Sequence, residues 1–489
     1  MHNTYWNPDN ETETSFSALH EDMETDLVIV GGGLSGLLCA WQLRNSGRQL
    51  VVLEKNAFLA NNSVRNTGKV CALQLPGISL SPTAAAEYFR LSLQAVDDFE
   101  QLIRQAGIDC GWQRQTAVLW AQSEQGRALI RQQRQFLTDN NAQLLCPPTL
   151  PSPLDQGEAI ALARQGQLDP FRFQKGLLHA LKNKVQLYDQ TPVVQIGDHE
   201  LITEGNYRVR FRQLIIATQF PAAEMKQLYS ARLQIRRELI GAFHGGGFQD
   251  WYLNSADPDA AFSLRSAGSQ HDPVILLAAP PHPLCQQPED PRQQLQQLQQ
   301  TLIPETSWRQ CWSAQDCFSR DALPLIGNRG HRFLLTGYSG WGYTAAMLAS
   351  RLIAETILDP GRPLPAFLRS DGRGDLFSRF TAENLLDSAR GFLGGRSVPE
   401  KKQPHQTGMV VRRQGRRYGV VVIDETTELL VDLTCPHLGC PLHYNAMDQT
   451  WDCPCHGSRF TLEGKSLTSP SATDLQHYPA VNSLHPHFK

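Results

Sequence analysis

Two apolar runs of strand length, D-L-V-I-V at 26–30 and Q-L-V-V-L at 49–53, enclose an apolar-rich stretch of helix length from Leu34 to about Asn45. Further strand-like runs lie at 186–194, 208–218 and 333–335, the last leading through a Gly-rich turn into a helix ending near Ile357. Between them, 83–165 opens with Tyr88, Leu91, Val96, Phe99, Leu102 and Ile103 at helical spacing, then offers a strand at 116–120 and a Gln- and Arg-rich helix. In 225–320 the runs 240–243 and 274–277 read as strands, and Q-Q-L-Q-Q-L-Q-Q-T-L at 293–302 as a surface helix with leucines on one side. From about Arg390 the chain turns Gly-, Pro- and Lys-rich, reading as a linker to Gly408, and then resumes with short β-type runs at 409–412, 418–423 and 429–433.

A length of 489 residues allows two or three domains, and a formal net charge of -3 gives no sign of a nucleic-acid surface. Every apolar run is too short to cross a bilayer. The first 25 residues are polar and acidic, without a basic segment followed by an apolar one, so a cytoplasmic location is expected.

The first run is followed by Gly31-Gly32-Gly33-Leu34-Ser35-Gly36, and Glu54-Lys55 closes the second. In this strand–GxGxxG–helix–strand–acid order, Gly31 permits a tight turn, Gly33 lets backbone approach a pyrophosphate and Gly36 lets helix pack on strand. The start of the helix, Leu34 and Ser35, presents N–H donors to phosphates, and Glu54 stands where a carboxylate binds a ribose diol. A dinucleotide site is predicted.

Three later stretches bear on which dinucleotide. They are the polar loop around Asn66-Thr67-Gly68, the strands that contain Val193 and end at Thr218, and the turn from Gly337 through Gly340-Trp341-Gly342. With the first motif, they resemble the D-amino-acid oxidase-like flavoenzymes, the group of glycine and sarcosine oxidases, over about 20–360. The resemblance implies FAD, a Rossmann-like α/β domain, and one antiparallel-sheet substrate domain built from the insertions 83–165 and 225–320. It also implies that Gly340, Trp341 and Gly342 set a helix start against the flavin N1–C2=O edge, where the dipole favours an anionic reduced ring. Arg265, and likewise Arg236 and Arg237, are candidates for pairing a substrate carboxylate; structural arginines are the alternative. Lys69 is either near the flavin or solvated. Arg265 and Trp341 are the candidate catalytic residues.

Near the C-terminus, Cys435 and His437 stand as C-x-H, and Cys453 and His456 as C-x-x-H. Two thiolates and two imidazoles suit a cluster whose two irons have different ligands, although the same residue types also bind zinc. The stretch resembles the Rieske [2Fe–2S] family over about 408–478, in both halves of its motif. The resemblance implies that Cys440 and Cys455 form a disulfide tying the two cluster loops. It also implies that Ser458 hydrogen-bonds a bridging sulfide, and that Phe460 replaces the tyrosine of the highest-potential members. The implied domain is small, all-β and C-terminal.

The expected organisation is an FAD-binding domain over 1–395, a linker over 396–407 and a Rieske domain over 408–489. Jointly the halves resemble bacterial FAD-dependent oxidoreductases with a C-terminal Rieske domain. The expected activity is oxidation of a small amine or amino acid at its C–N bond, with electrons leaving singly through the cluster to a separate carrier, ferredoxin-like or quinone-linked. No second GxGxxG unit for NADPH is found, which favours a substrate that reduces the flavin directly. A ferredoxin-fed reductase or monooxygenase, and a non-enzymatic redox sensor, are the alternatives. A Rieske oxygenase needs a large iron-binding domain after the cluster, and 33 residues follow His456 in a chain of 489.

Overall fold

The computed structural model describes residues 4–9, 16–74, 80–146, 150, 154–221, 232–257, 261–269, 271–286, 288, 290–369, 378–394, 408–413, 415–422 and 428–480. Its first layer is an eight-stranded sheet. Met23–Val30 lies at the centre, parallel to Leu50–Leu53 on one side and Arg208–Ile216 on the other. Gln186–Tyr188 and Arg332–Thr336 extend it in parallel, and Leu325–Arg329 closes one edge antiparallel. The central strands are apolar on both faces because both are covered, the face of Leu27 and Ile29 by helices and the face of Val28 and Val30 by Leu201 of Glu200–Thr203 and by Leu233, Ile235 and Cys317. Leu34–Leu43 and Gly342–Leu358 pack together on one face. The run at 186–194 is two strands, Gln186–Tyr188 and Val193–Ile196, rather than one. The segment between them turns back beneath Glu54, whose backbone bonds both Tyr188 and Thr191.

The two insertions join in one ten-stranded sheet, in which Gln234–His244 pairs antiparallel with Ser307–Phe318 and Pro273–Ala278. Among the described residues the sheet is antiparallel except where Trp251–Asn254 runs parallel to Gln113–Ala121, which is where strands from the two insertions meet. Pro82–Ala106 and Pro291–Leu302 are helices with side-chain caps from Ser81 and Asp290 and proline in the first turn. Among the described residues, no helix is long and apolar enough to cross a membrane.

The C-terminal unit is two four-stranded antiparallel sheets. One holds Met409–Arg413, Arg416–Val422, Glu428–Asp432 and His477–Ala480, the other His443–Asn445, Thr450–Asp452, Arg459–Phe460 and Ser466–Thr468. The expected linker begins later than its composition indicates, since 391–394 complete the helix Arg379–Gly394. That helix packs on the C-terminal unit. Phe392 joins its core, a Cβ on Gly391 would touch the Pro454 carbonyl, and Ser388 Oγ bonds the Cys455 carbonyl at 3.4 Å. The expected linker proper, 396–407, lies outside the described residues.

Candidate functional site

A cavity of about 1510 Å³ runs along the carboxyl ends of the parallel strands and beneath the inserted sheet. Of the expected dinucleotide residues, Gly31, Gly33, Leu34, Ser35, Glu54, Lys55, Asn66, Thr67, Gly68, Val193, Thr218, Gly337, Gly340, Trp341 and Gly342 all line it. Gly36 does not. A Cβ there would lie 1.9 Å from the Gly31 carbonyl, so its role is to seat the helix on the turn. Gly31 has φ 109°, and a Cβ on it would meet the Ala217 carbonyl at 2.5 Å. The helix Leu34–Leu43 has Gly33 at its N-cap with no side-chain cap; Leu34 N–H donates to Ser63 Oγ at 3.1 Å, and the first-turn N–H groups after it are left for an anion in the cavity. Glu54 accepts from Gly32 N at 2.7 Å and Asn56 N at 3.0 Å. These bonds fix the carboxylate at the strand end while its remaining lone pairs can accept ribose hydroxyls. This cradle fits FAD.

Several expected roles are corrected. Arg265 does not reach the cavity. Its Nη1 donates to the carbonyls of Thr67 (2.7 Å), Gly68 (3.2 Å) and Leu168 (3.2 Å), and the guanidinium lies over Trp6. It is therefore a post that fixes the 66–68 loop. Arg237 points to the opposite face of its strand, where Nη1 meets Asp452 Oδ2 at 2.6 Å. At the second Gly-rich turn, Gly340 N–H already donates to Asp316 Oδ2 at 2.6 Å and Trp341 N–H to the Tyr338 carbonyl at 3.0 Å. Two of the three donors expected to face a flavin edge are thus committed, and burial pushes Asp316 up to about 6.

Arg236 does line the cavity. Its Nε donates to Gln234 at 2.8 Å and its guanidinium stacks over Phe318. Glu238, two residues on and facing the same way, also lines it, as does Lys69, whose Nζ bonds Thr67 Oγ1 at 3.0 Å and Ser263 Oγ at 2.8 Å. Burial raises Glu238 to about 7 and lowers Lys69 to about 7, while each charge opposes the shift of the other.

The cluster motif folds onto two loops. Cys435 and Cys453 are hydrogen-bonded to each other, and main-chain N–H groups of His437 and Leu438 reach the first sulfur and those of Cys455 and His456 the second. The hydrogen bond shared by the two thiols, with Ser458 and the backbone donors, lowers Cys435, and the same bond together with burial raises Cys453. His437 and His456 face each other with ring centroids 5.1 Å apart, and burial lowers both, His456 to about 4. Neutral imidazoles at one end and sulfurs ringed by N–H donors at the other match two irons with unlike ligands. A single zinc ion would draw all four ligands to one point. Cys440 and Cys455 are joined by a disulfide, with Cα atoms 6.6 Å apart. Phe460 is fully buried in the core that holds both cysteine ligands.

Residues missed in the sequence bind the two sites together. Phe220 lines the cavity, and its ring lies 6.5 Å from His437 and 5.9 Å from His456. Asp448 pairs with Arg65 (2.6 Å) and Arg459 (2.7 Å), and Asp452 with Arg237 (2.6 Å) and Arg459 (3.2 Å). All five side chains are at most 5% exposed. Burial acts to raise Asp448, but Arg459 and Arg65 overcome it and hold the carboxyl far below its usual range. A clue lay in the run Arg236-Arg237-Glu238 inside an apolar strand, where period-two alternation must send Arg237 to the other face.

Residues 26–356 match the FAD dependent oxidoreductase family and 397–479 the Rieske [2Fe-2S] domain. The chain is 29% identical over 499 residues to the Rieske 2Fe-2S iron-sulfur protein YhfW of Bacillus subtilis (strain 168), covering 97% of each. It is 36% identical over 83 residues to the cytochrome b6-f complex iron-sulfur subunit 2 of Synechocystis sp., covering 16% of this chain and 46% of that one. Among solved structures, glycine oxidase from Geobacillus kaustophilus superposes with a TM-score of 0.60 at 18% identity, over 72% of this chain and all of that one (100%). FAD and a [2Fe–2S] cluster are accordingly the cofactors of the fold and sites described above.

Proposed function

Since the chain belongs to the FAD-dependent oxidoreductase family and ends in a Rieske [2Fe–2S] domain, we propose that it oxidises a small amine or amino acid at its C–N bond and delivers the electrons one at a time to a separate carrier. FAD, when bound, accepts two electrons, and the cluster passes single ones.

The observation that carries the donor class is the charge pattern on the strand Gln234–His244. Arg236 and Glu238 face the cavity as successive same-side residues, so their Cα atoms stand about 7 Å apart. A guanidinium and a carboxyl at that spacing match the carboxylate and ammonium of an amino acid. Arg236 anchors the acid end by charge-assisted hydrogen bonds. Glu238 receives the ammonium and takes a proton from it, leaving the neutral amine that C–N oxidation requires. Lys69, held by Thr67 and Ser263, sets the charge of that carboxyl. The fold likeness to glycine oxidase is consistent with such a donor. Phe220, between cavity and cluster histidines, gives a short internal route outward.

The test is anaerobic bleaching of the flavin by a panel of amines and amino acids. A donor should bleach it while the EPR signal of the reduced cluster appears. Glu238→Gln should weaken binding of an ammonium-bearing donor about tenfold, roughly one lost charged hydrogen bond. His437→Ala should lose the cluster, keep the bleaching and lose turnover with the carrier. The reading is overturned if reduced ferredoxin fills first the cluster and then the flavin and no small molecule bleaches it.

A further inference from the structure

The wall of the FAD cavity is not built by the flavin domain alone. Leu467, Thr468, Ser469, Pro470, Ser471 and Ala472, all in the Rieske domain, line it together with Gly31, Glu54 and Lys55. Two residues following the acid of the dinucleotide motif clasp this segment. Lys55 Nζ donates to Ser466 Oγ at 3.0 Å and to the Ser471 carbonyl at 3.1 Å, and Asn56 Nδ2 donates to the Leu467 carbonyl at 3.0 Å. Lys55 is partly buried. Burial lowers it to about 8 while Glu54 of one domain and Asp474 of the other sustain its charge.

The same segment touches the cluster loops from its other side. Ser471 N donates to Ser458 Oγ at 3.0 Å, and Ser458 in turn bonds the Cys435 sulfur. Thr468 Oγ1 donates to the carbonyl of Gly457, the neighbour of His456, at 2.9 Å. Gln315, on the cavity side, bonds that same carbonyl at 2.8 Å. The buried pairs Arg65–Asp448 and Arg237–Asp452 cross from one domain to the other, and Arg459 pairs with both carboxylates, so the two domains share one closed charge network at their contact.

We propose that residues 467–472 are a shared wall: the Rieske domain completes the FAD site with this segment, and the segment couples FAD occupancy to the cluster. A group bound against one side of it restricts the loop whose other side positions Ser458. Such coupling is reciprocal, so FAD must alter the cluster and the cluster must tighten FAD by the same factor. A swinging Rieske head is incompatible with this arrangement, since each excursion would open the dinucleotide cavity. The proposal rests on FAD occupying the cavity and is independent of the donor and of the direction of electron flow.

The experiment uses full-length, cluster-loaded protein from which FAD has been removed, with hydrogen exchange followed by mass spectrometry as FAD is added back. Amides of 31–36 and of 467–472 should both slow, and the EPR spectrum of the dithionite-reduced cluster should shift. Asn56→Ala should raise the Kd for FAD three- to tenfold while one cluster per chain is retained by EPR spin count. Slowing at 31–36 without slowing at 467–472, or an Asn56→Ala Kd within twofold of the native value, overturns the proposal. Absence of slowing at 31–36 would instead refute the FAD site itself.

Discussion

The phenyl ring of Phe220 stands 5.9 Å from the His456 imidazole, centroid to centroid, and the same ring borders the FAD cavity. It follows the strand Arg208–Ile216 by four residues and is 2% exposed, so the cluster histidines meet an apolar surface where they approach the cavity. An apolar shell limits water around a metal centre and thereby sets its potential. Phe220→Ala should admit water beside His437 and His456. Reduction adds negative charge to the cluster, and water stabilises the more highly charged form. The midpoint should therefore rise, by about 30–60 mV, or about 0.7–1.4 kcal/mol for one electron. A redox titration followed by EPR measures it, and an unchanged midpoint would deny Phe220 this role.

Asp448 is fully buried between Arg65 and Arg459 and also accepts from Ser313 Oγ. Asp448→Asn would leave two guanidiniums short of their counter-charge in a site closed to water. The expected loss is about 3–5 kcal/mol, the range for breaking a buried ion pair from one side. Denaturant unfolding should show it, with flavin and cluster absorbance lost at lower denaturant than in the native protein. The exposed Arg131–Glu124 pair is the control; Arg131→Ala should leave the transition where it was.

His282 links stability to pH. Burial first, and Arg237 second, lower its imidazole to about 4 in the folded chain, against an ordinary value near 6.5. Between these values the unfolded chain binds more protons than the folded one, so stability is present at neutral pH and is lost as pH falls through that window. At pH 5 the loss from this residue is about 2 kcal/mol. His282→Gln should flatten the profile between pH 7 and 5. Equal slopes for native and variant protein would exclude His282 as the source.

Phe460 packs at 0% exposure against the core that contains Cys435 and Cys453. Phe460→Tyr would place a hydroxyl within the reach of a ligand sulfur, and a hydrogen bond there stabilises the reduced cluster. A rise of about 60 mV is expected, together with some loss of stability from overfilling a closed core, about 1–3 kcal/mol. Titration and thermal unfolding separate the two effects.

Both cofactor motifs were legible in the chain because their chemistry is local. The GxGxxG turn and Glu54 lie within one strand–helix–strand unit, and each Cys/His ligand pair sits within a single loop. Spacing alone therefore fixes which backbone and side-chain atoms can meet. The strands and helices around them were equally local, since burial on both faces imposes apolar runs and caps impose their own residues. Partners far apart in sequence were not legible. Arg265 has the composition of a carboxylate anchor, yet three carbonyls, brought in from Thr67, Gly68 and Leu168, occupy its guanidinium. Arg236 and Arg237 are adjacent in sequence, and only the sheet decides that one faces the cavity while the other is locked to Asp452. The linker reading failed at 391–394 because a helix with weak local signals is stabilised by packing on the Rieske domain. Whether a charge is free for substrate or spent on structure depends on what surrounds it in space. The desolvation and pairing terms that settle this come from residues hundreds of positions away, so tertiary structure alone decides it.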